Sequence, residues 1–321
     1  AVRSAGGKKN GRLSKIHPID LGAEVVDALV AKTGVAVSEI DDLIFGCVSQ
    51  VGAQSSNIAR NICLSSVLGE VVPGTTVDRQ CGSGQQAMHF AAQGVLSGTQ
   101  DLVIAGGVES MSQVPIGANI IDGYKAEHGL PYGKKMSERY PGVQFNQFAG
   151  AEMLAHKYEL TQNELNAFAF DSHVKAKRAV LEGRFKDEIV AIQVELEDGT
   201  TESHEQDEGI RMDATLGAIA GLQPLQENGL LSAANASQIC DGAAAVMIAN
   251  GATCKRLGLK PLARIIAMSV IGSDPVIMLE GPIPATKKVI EKANLSVDDI
   301  ALFEVNEAFG SIPLTWVKAL G

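Results

Sequence analysis

Short apolar runs alternate with helix-forming runs through the first third of the chain, and this alternation limits the possible folds more than any other feature. Residues 42–50 (DLIFGCVSQ) and 101–111 (DLVIAGGVESM) are continuous apolar runs, typical of strands buried on both faces. A third strand is predicted at 75–80 (TTVDRQ), and stretches 56–69 and 83–98 have apolar positions at helical spacing. Strands and helices alternating this closely indicate βαβ units and a parallel sheet.

The character of the sequence changes near residue 115. Residues 116–232 are polar, irregular and rich in glycine, with two predicted helices among them, and we interpret them as an inserted loop domain. Strand character returns at 241–250 (DGAAAVMIAN). After it, a predicted helix at 284–295 (PATKKVIEKANL) continues the α/β alternation.

A weak internal repeat links the two ends of the chain. DLIFGCVS at 42–49 aligns with DIALFEVN at 299–306, an offset of 257 residues, and each run follows an amphipathic helix and a short linker. The alignment predicts two similar α/β halves, with the insertion inside the first. The counterpart of residue 81 would lie beyond residue 321, so we expect the second half to be truncated.

The composition excludes several classes of protein. With 27 basic and 37 acidic residues the net charge is −10, which argues against nucleic acid as the main partner because neutralising phosphates requires a basic surface. An anionic substrate still fits if a local basic pocket receives it. Aromatic residues make up only 4% of the chain, so its core is expected to consist mainly of aliphatic side chains.

The five cysteines have no metal-binding spacing, so we expect reduced thiols, no metal site and a cytoplasmic location. No apolar stretch is long enough to span a membrane, and the N-terminus does not resemble a signal peptide.

The stretch VDRQCGSGQQAM (77–88) contains the residue of greatest chemical interest. Cys81 is predicted to follow a strand and to lie at, or one residue before, the start of a helix, where N–H groups and the helix dipole favour a thiolate and can stabilise an oxyanion. Gly82 and Gly84 would allow a sharp turn and the close approach of a substrate. Taken alone, the pattern favours a packing cysteine over a nucleophile.

Further motifs reverse that balance. VDRQCGSGQQA (77–87) is followed in order by GGVESMS (106–112), NASQICDGAAAV (235–246) and NEAFG (306–310). Together they resemble the thiolase family, more narrowly the acetyl-CoA acetyltransferases and 3-ketoacyl-CoA thiolases. The resemblance extends through essentially the whole chain.

The resemblance implies roles for individual residues. Cys81 matches the nucleophile that accepts the acyl group, and Asn306 matches the asparagine that holds a water at the oxyanion site. Ser237 matches a serine near the pantetheine arm, and Arg211 lies where the family contacts the nucleotide of coenzyme A. Gly82, next to the nucleophile, is expected to border the substrate.

Two further motifs of the family have no counterpart that we recognise in the sequence. A Gly-His-Pro histidine activates the nucleophile, and the cysteine of a Cys-x-Gly motif is a second acid/base; both follow NEAF in the family. His17-Pro18 is not preceded by glycine, and we interpret it as unrelated. We therefore expect about a fifth of the protein to be missing.

The fold that the resemblance implies is α/β and thiolase-like, with two similar halves that each contain a mixed five-stranded sheet covered by helices, layered αβαβα. The expected domains are an N-terminal thiolase domain (1–115 plus 233–260), an inserted loop domain (116–232) and a truncated C-terminal thiolase domain (261–321). The family pairs through its N-terminal sheets, so a homodimer or homotetramer is expected. Its substrates are small acyl-CoA molecules, and the resemblance implies no cofactor, metal, nucleic acid or membrane partner.

The remaining candidates have simpler interpretations. Cys47, Cys63, Cys240, Cys254, Met111 and Met153 are expected to pack in the interior. His89 and His156 are expected to be structural, as are the carboxylates of Glu109 and Glu307. The cluster of Lys134, Lys135 and Arg139 could face a phosphorylated substrate or simply solvent.

Three functions remain open from the sequence. The leading one is a thiolase of fatty acid metabolism, condensing acetyl-CoA with an acyl-CoA or cleaving a 3-ketoacyl-CoA. The alternatives are a decarboxylating ketoacyl synthase, which uses histidines in place of the second cysteine, and a non-catalytic thiolase-like subunit. The run RYPGVQFNQFAG (139–150) is more similar to degradative members of the family.

Overall fold

Eleven helices and nine strands are described by the computed structural model, which covers residues 1–196 and 198–321. The helices are α1 (Pro18–Thr33), α2 (Ile58–Ser65), α3 (Ser83–Leu96), α4 (Ala118–Lys125), α5 (Lys134–Arg139), α6 (Gln147–Lys157), α7 (Gln162–Leu181), α8 (Leu216–Ala220), α9 (Gly251–Arg256), α10 (Pro282–Ala293) and α11 (Ser311–Leu320). The strands are β1 (Val2–Ser4), β2 (Gly7–Lys8), β3 (Asp42–Gly46), β4 (Gly74–Val77), β5 (Leu102–Ser110), β6 (Ile189–Val190), β7 (Ile192–Glu195), β8 (Thr201–His204) and β9 (Cys240–Ala249).

The described chain divides into two compact units. The first unit contains residues 1–131, 183–209 and 238–264, and the second contains 132–182, 210–237 and 265–321. The segment 183–209, inside the predicted insertion, thus packs with the first unit.

A mixed sheet forms the centre of the first unit. Its strands lie in the order β4-β3-β5-β9-β1-β6, and β2 pairs with β9. β4, β3 and β5 are parallel and are joined through α2 and α3, as the βαβ pattern predicts, whereas β9 runs antiparallel to β5 and β1. The sheet has seven strands, so the expectation of five is wrong. The two additional strands, β2 and β6, are only two residues long and pair in short ladders. Strands this short leave little periodic signal in the sequence.

Helices cover both faces of this sheet. α1 and α2 pack against one face, where Leu43 and Phe45 of β3 join a large aliphatic cluster. α3 covers the other face through Ala87 and Ala91, which contact the cluster around Ile44. Alternate residues of β3 therefore point to opposite faces, and both faces are buried, which explains the continuous apolar run.

The start of α1 accounts for His17-Pro18. His17 precedes the helix, and its Nδ1 accepts a hydrogen bond from the N–H of Ile19 at 3.3 Å. Pro18 occupies the first helical position, where a missing N–H costs nothing. The dipeptide is thus a helix start, in agreement with its interpretation as unrelated to Gly-His-Pro.

The second unit has its own core. α11 contacts both α6 and α7, and Leu154, Leu165 and Ile312 belong to a common apolar cluster. α7 begins with a capping box in which Thr161 and Glu164 satisfy each other's N–H groups, with distances of 3.2 and 2.7 Å. This pair of residues accounts for the beginning of the long predicted helix.

The internal repeat predicts a strand at residues 299–306, and the structure contradicts this prediction. Residues 299–306 are not a strand, and among the described residues none pairs with them in a ladder; Leu302 is 91% exposed. A run with strand character forms a strand only where a neighbour supplies hydrogen bonds.

The geometry before that segment nevertheless repeats. Gly34 and Asn294 both end a helix in the left-handed conformation, with φ of 65° and 54°. A 3-10 turn follows each of them, at Val37–Glu39 and Val297–Asp299. The two helix ends, at residues 34 and 294, and the two 3-10 turns, which begin at residues 37 and 297, are each separated by 260 residues. The offset of 257 predicted from the sequence is therefore wrong by three residues.

Candidate active site

Cys81 is exposed at the turn between β4 and α3. Gly82 is the residue immediately before the helix, so Cys81 lies two residues before its first residue, Ser83, which is one residue further out than predicted. The first N–H groups of a helix have no partners within it and carry its positive dipole end. The turn therefore presents a thiol to solvent beside groups that stabilise negative charge.

The sharp bend of this turn is made by Gln80, not by the glycines. Gln80 has φ of +48°, in the left-handed region that non-glycine residues seldom adopt, whereas Gly82 has φ of −90°. Two hydrogen bonds hold the bend: the Gln80 N–H donates to Oδ1 of Asp78 at 2.7 Å, and the Gln80 carbonyl accepts from the Oγ of Ser83 at 2.6 Å. The expectation that Gly82 and Gly84 supply the bend is wrong for this reason.

Glycines do matter on the sheet side of the turn. A Cβ on Gly46, at the end of β3, would lie 2.5 Å from the nitrogen of Gly84. A Cβ on Gly107, in β5, would lie 3.0 Å from the carbonyl oxygen of Gly46. The start of α3 therefore rests directly on the sheet backbone, and this contact fixes the height of the Cys81 turn.

Glu109 holds the loop that follows β3. Its carboxylate accepts the N–H groups of Val48 at 2.8 Å and Ser49 at 3.2 Å, and the Nε2 of Gln54 at 2.8 Å. The structural role predicted for Glu109 agrees with these contacts. Gln54, which is fully buried and whose Oε1 accepts the N–H of Ser110 at 2.7 Å, had no recognisable signal in the sequence.

Two motifs of the sequence meet within the second unit. The Ser237 N–H donates to the carbonyl of Ala308 at 2.8 Å, and its Oγ donates to the carbonyl of Glu307 at 2.9 Å. The Gly310 N–H in turn donates to the carbonyl of Asn235 at 2.8 Å. NASQ and NEAFG thus form a short antiparallel pairing, which brings Ser237 close in space to exposed Asn306.

Glu307 anchors the second of these motifs. Its Oε2 accepts a hydrogen bond from the Oγ of Ser172 on α7 at 2.8 Å. The contact agrees with the structural role expected for this carboxylate. Gly310 is closely enclosed, because a Cβ there would lie 3.3 Å from side-chain atoms of Asn235 and Phe168.

Arg211 lies in a cationic groove of the second unit. The groove has a volume of about 580 Å³ and is also lined by His173, Lys177, Arg178 and Met212. His173 Nδ1 accepts the N–H of Arg211 at 3.3 Å. Burial, helped by the charge of Arg211, lowers the pKa of His173, which keeps this nitrogen unprotonated and able to accept the bond.

The other cysteines differ from Cys81. Cys47 and Cys63 are buried, as predicted, and burial raises the pKa of both thiols, that of Cys63 to about 11. The prediction is wrong for Cys240, which is exposed at the beginning of β9, and Cys254 is only half-buried.

Cys240, Asp241 and Gly242 also have the pattern Cys-x-Gly. Partial burial and the carboxylates of Asp241 and Glu109 raise the pKa of the Cys240 thiol.

The remaining candidates are on the surface or in packing positions. His156 and Met153 are exposed, Met153 by 45%, so the packing predicted for Met153 is wrong; Met111 is half-buried. Lys134, Lys135 and Arg139 are exposed, and Lys134 lies 3.6 Å from Glu138. Burial and the charge of Arg79 lower the pKa of His89, which is on α3.

Within the described part of the chain, no group of three or more His, Cys, Asp or Glu side chains is placed to hold a metal ion. None of the described helices combines the length and the apolar character needed to cross a membrane.

Comparison with known proteins gives one consistent result. The profile of the N-terminal thiolase domain matches residues 1–252, and that of the C-terminal thiolase domain matches residues 259–321. The steroid 3-ketoacyl-CoA thiolase FadA6 of Mycobacterium tuberculosis is 44% identical over all of this chain and 78% of its own length. The 3-ketoacyl-CoA thiolase of Acinetobacter baumannii is 40% identical over 100% and 80% of the two chains.

A solved structure shares the fold. The acetyl-CoA acetyltransferase of Bacillus anthracis superimposes with a TM-score of 0.88 and 36% sequence identity, covering 99% of this chain and 81% of that one. The similarity therefore extends along the whole chain in both sequence and structure.

Proposed function

This chain belongs to the thiolase family, and from that premise we propose that Cys81 is the nucleophile on which the acyl group is carried. Its activity is that of a thiolase, an acyltransferase of the 3-ketoacyl-CoA thiolase and acetyl-CoA acetyltransferase type. The observation that carries the proposal is an exposed thiol two residues before the start of α3.

The chemistry follows from that position. The Sγ of Cys81 attacks an acyl carbonyl carbon, and the carbonyl oxygen becomes an oxyanion. When the donor is an acyl-CoA thioester, the C–S bond breaks and coenzyme A leaves as its thiol with the proton of the cysteine. In thiolysis the attacked carbon is C3 of the 3-ketoacyl-CoA, the C2–C3 bond breaks, acetyl-CoA leaves with the proton on C2, and coenzyme A then takes the acyl group from the sulfur. The N–H groups at the start of α3 stabilise the negative charge that develops on the carbonyl oxygen. Gly82 has no side chain, which leaves the approach to the sulfur open.

We assign supporting roles to three further residues. Asn306 orients a water at the oxyanion site, and Ser237, hydrogen-bonded beside it, borders the pantetheine arm. Arg211 binds a phosphate of coenzyme A. Its groove supports that role, because it combines Lys177 and Arg178 with apolar surface, as a phosphorylated nucleotide requires.

We further propose that the physiological direction is thiolysis of a 3-ketoacyl-CoA in the cytoplasm. The names of two relatives support this direction, and five free thiols fit a reducing compartment. The decarboxylating synthase and the non-catalytic subunit have no observation in their favour.

Two copies of the chain are proposed to pair through β4. This strand lies at the end of the sheet order and has β3 as its partner, which leaves its outer edge available for a second strand. On α3, which follows β4, the apolar side chain of Phe90 is exposed. A homodimer or homotetramer would cover both features.

Steady-state kinetics test the assignment. We expect Cys81→Ala to lower kcat for thiolysis of acetoacetyl-CoA by at least about 10³-fold, because the covalent route is lost. Arg211→Ala is expected to raise KM for coenzyme A about tenfold with little change in kcat. A Cys81→Ala variant with more than a tenth of the wild-type kcat would contradict the proposal.

A further inference from the structure

The side chain of Ser83 connects the two sides of the Cys81 turn. Its Oγ accepts a hydrogen bond from the N–H of Arg79 at 2.9 Å and donates one to the carbonyl oxygen of Gln80 at 2.6 Å. Ser83 is only 4% exposed, although Cys81, two residues away, faces solvent. We call this pair of hydrogen bonds the Ser83 clasp.

The clasp joins the turn that precedes Cys81 to the start of α3. The start of α3 is fixed because it rests on the backbone of Gly46, so Ser83 itself has little freedom to move. Arg79 and Gln80 belong to the turn outside the helix. Their hydrogen bonds to Ser83 therefore hold these two residues, which precede Cys81, in place relative to the helix.

The conformation of Gln80 shows why a clasp is needed. A glutamine at φ of +48° is strained, and strained backbone persists only where surrounding contacts enforce it. The Gln80 carbonyl accepts from both the Oγ and the N–H of Ser83, the latter at 3.0 Å. Removing the hydroxyl would leave one contact to hold the carbonyl and would release the N–H of Arg79.

We propose that Ser83 is a positioning residue for acyl transfer: its hydroxyl holds Gln80 in the left-handed conformation and so keeps the Cys81 sulfur aimed at the thioester carbonyl. Ser83 itself contacts no reacting atom. The inference rests on the proposed role of Cys81 as nucleophile. A small displacement of a nucleophile lowers the rate of attack far more than it lowers affinity, because binding does not depend on the angle of approach.

The test compares Ser83→Ala, Ser83→Thr and the control Ser97→Ala. Ser97 lies at the other end of α3, where its Oγ donates to the carbonyl of Gly94 at 2.8 Å. For each variant of the full chain, release of coenzyme A from saturating acetyl-CoA gives the acylation rate, and a titration gives the affinity for acetyl-CoA. Peptide mass mapping locates the acyl group, and thermal unfolding reports on the fold.

We expect Ser83→Ala to lower the acylation rate at least tenfold with affinity within twofold of wild type, and Ser83→Thr, which keeps a hydroxyl, to recover most of the rate. Adding Gln80→Gly to Ser83→Ala should recover part of the loss, because glycine adopts a positive φ without strain. Ser97→Ala should behave as wild type.

Several results would overturn the inference. One is a Ser83→Ala variant that acylates Cys81 at the rate of Ser97→Ala. Another is a Ser83→Ala variant that loses acylation rate, affinity for acetyl-CoA and thermal stability together, with no recovery in Ser83→Thr or on adding Gln80→Gly. That pattern is expected if Ser83 only stabilises the fold. A wild-type chain that forms no adduct at Cys81 would instead contradict the proposed function.

Discussion

Gly46 shows how a single residue far from the chemistry in sequence can control the nucleophile. It ends β3 directly beneath the first turn of α3, with the backbone of Gly84 and the Cβ of Ser83 too close to allow a side chain. The position of Cys81 above the sheet thus depends on the absence of one methyl group.

Gly46→Ala is therefore expected to lift the start of α3 from the sheet. The added Cβ would lie 2.5 Å from the Gly84 nitrogen, an overlap expected to cost about 1–3 kcal/mol of unfolding free energy. Urea unfolding measures this cost. The matched control is Gly123→Ala in α4, where nothing lies within 4 Å of the new Cβ; equal stability of the two variants would argue against the close contact.

At the residue scale the sequence contains the nucleophile but not the geometry that holds it. Cys81 stands out because its neighbours form a known motif and because a predicted strand precedes it and a predicted helix follows it. The bend at Gln80 leaves no such sign, since positive φ is expected of glycine and two glycines lie nearby. The Ser83 clasp joins residues 79, 80 and 83, but the start of α3 that carries it rests on Gly46, a tertiary contact that no local pattern reveals.

The prediction of secondary structure elements succeeds where the signal is local and fails where it is not. β3, α3 and β5 follow from their own periodicity, because each is covered on the faces that its pattern requires. Residues 299–306 have the same apolar pattern as β3 without a ladder partner among the described residues, and they form no strand. Strand formation depends on a neighbour, and the segment alone does not specify one.

An ion pair joins β1 to the segment that follows β8. Arg3 contacts both carboxylate oxygens of Asp207, at 2.7 and 3.0 Å, and the Gly6 N–H donates to Oδ1 at 2.7 Å. Burial alone would raise the pKa of Asp207, but the bonds from Arg3 and Gly6 outweigh it and hold the pKa below its usual value. The folded state therefore favours the ionised carboxylate.

Asp207→Asn is expected to lower the unfolding free energy by about 1–3 kcal/mol at pH 7. Because the folded pKa is depressed, this contribution is complete above the unfolded pKa of about 3.9 and is lost as pH falls through the folded value. Urea unfolding at several pH values measures it, with exposed Asp298→Asn as the control. A difference between wild type and Asp207→Asn that persists undiminished at pH 2 would contradict this account.

At the scale of the whole molecule, the exposed edge of β4 supports assembly of two copies. A lysine at exposed Thr75 would bring like charges together if the β4 strands of two copies pair. We expect Thr75→Lys to shift the protein towards monomer in light scattering at micromolar concentration, whereas Thr99→Lys should not. A wild-type protein that is already monomeric there would contradict pairing.

Family membership is the level at which the sequence is most informative. Four short motifs in order suffice to identify the thiolase family, and matches along the whole chain agree with them. The pairing of Ser237 with the NEAFG motif is tertiary: the two lie about 70 residues apart and meet through two backbone hydrogen bonds and one from the Oγ of Ser237, a contact that neither segment reveals alone. Both motifs are therefore recognisable in the sequence, but their contact is not predictable from it.

The central claim is that the acyl group is carried on the sulfur of Cys81. The most direct measurement is the mass of the protein and of its peptides after brief incubation with acetyl-CoA and an acid quench. We predict one acetyl group per chain, on the peptide that contains Cys81, and none on Cys81→Ala. An acetyl group of equal stoichiometry on the Cys81→Ala variant would contradict the claim.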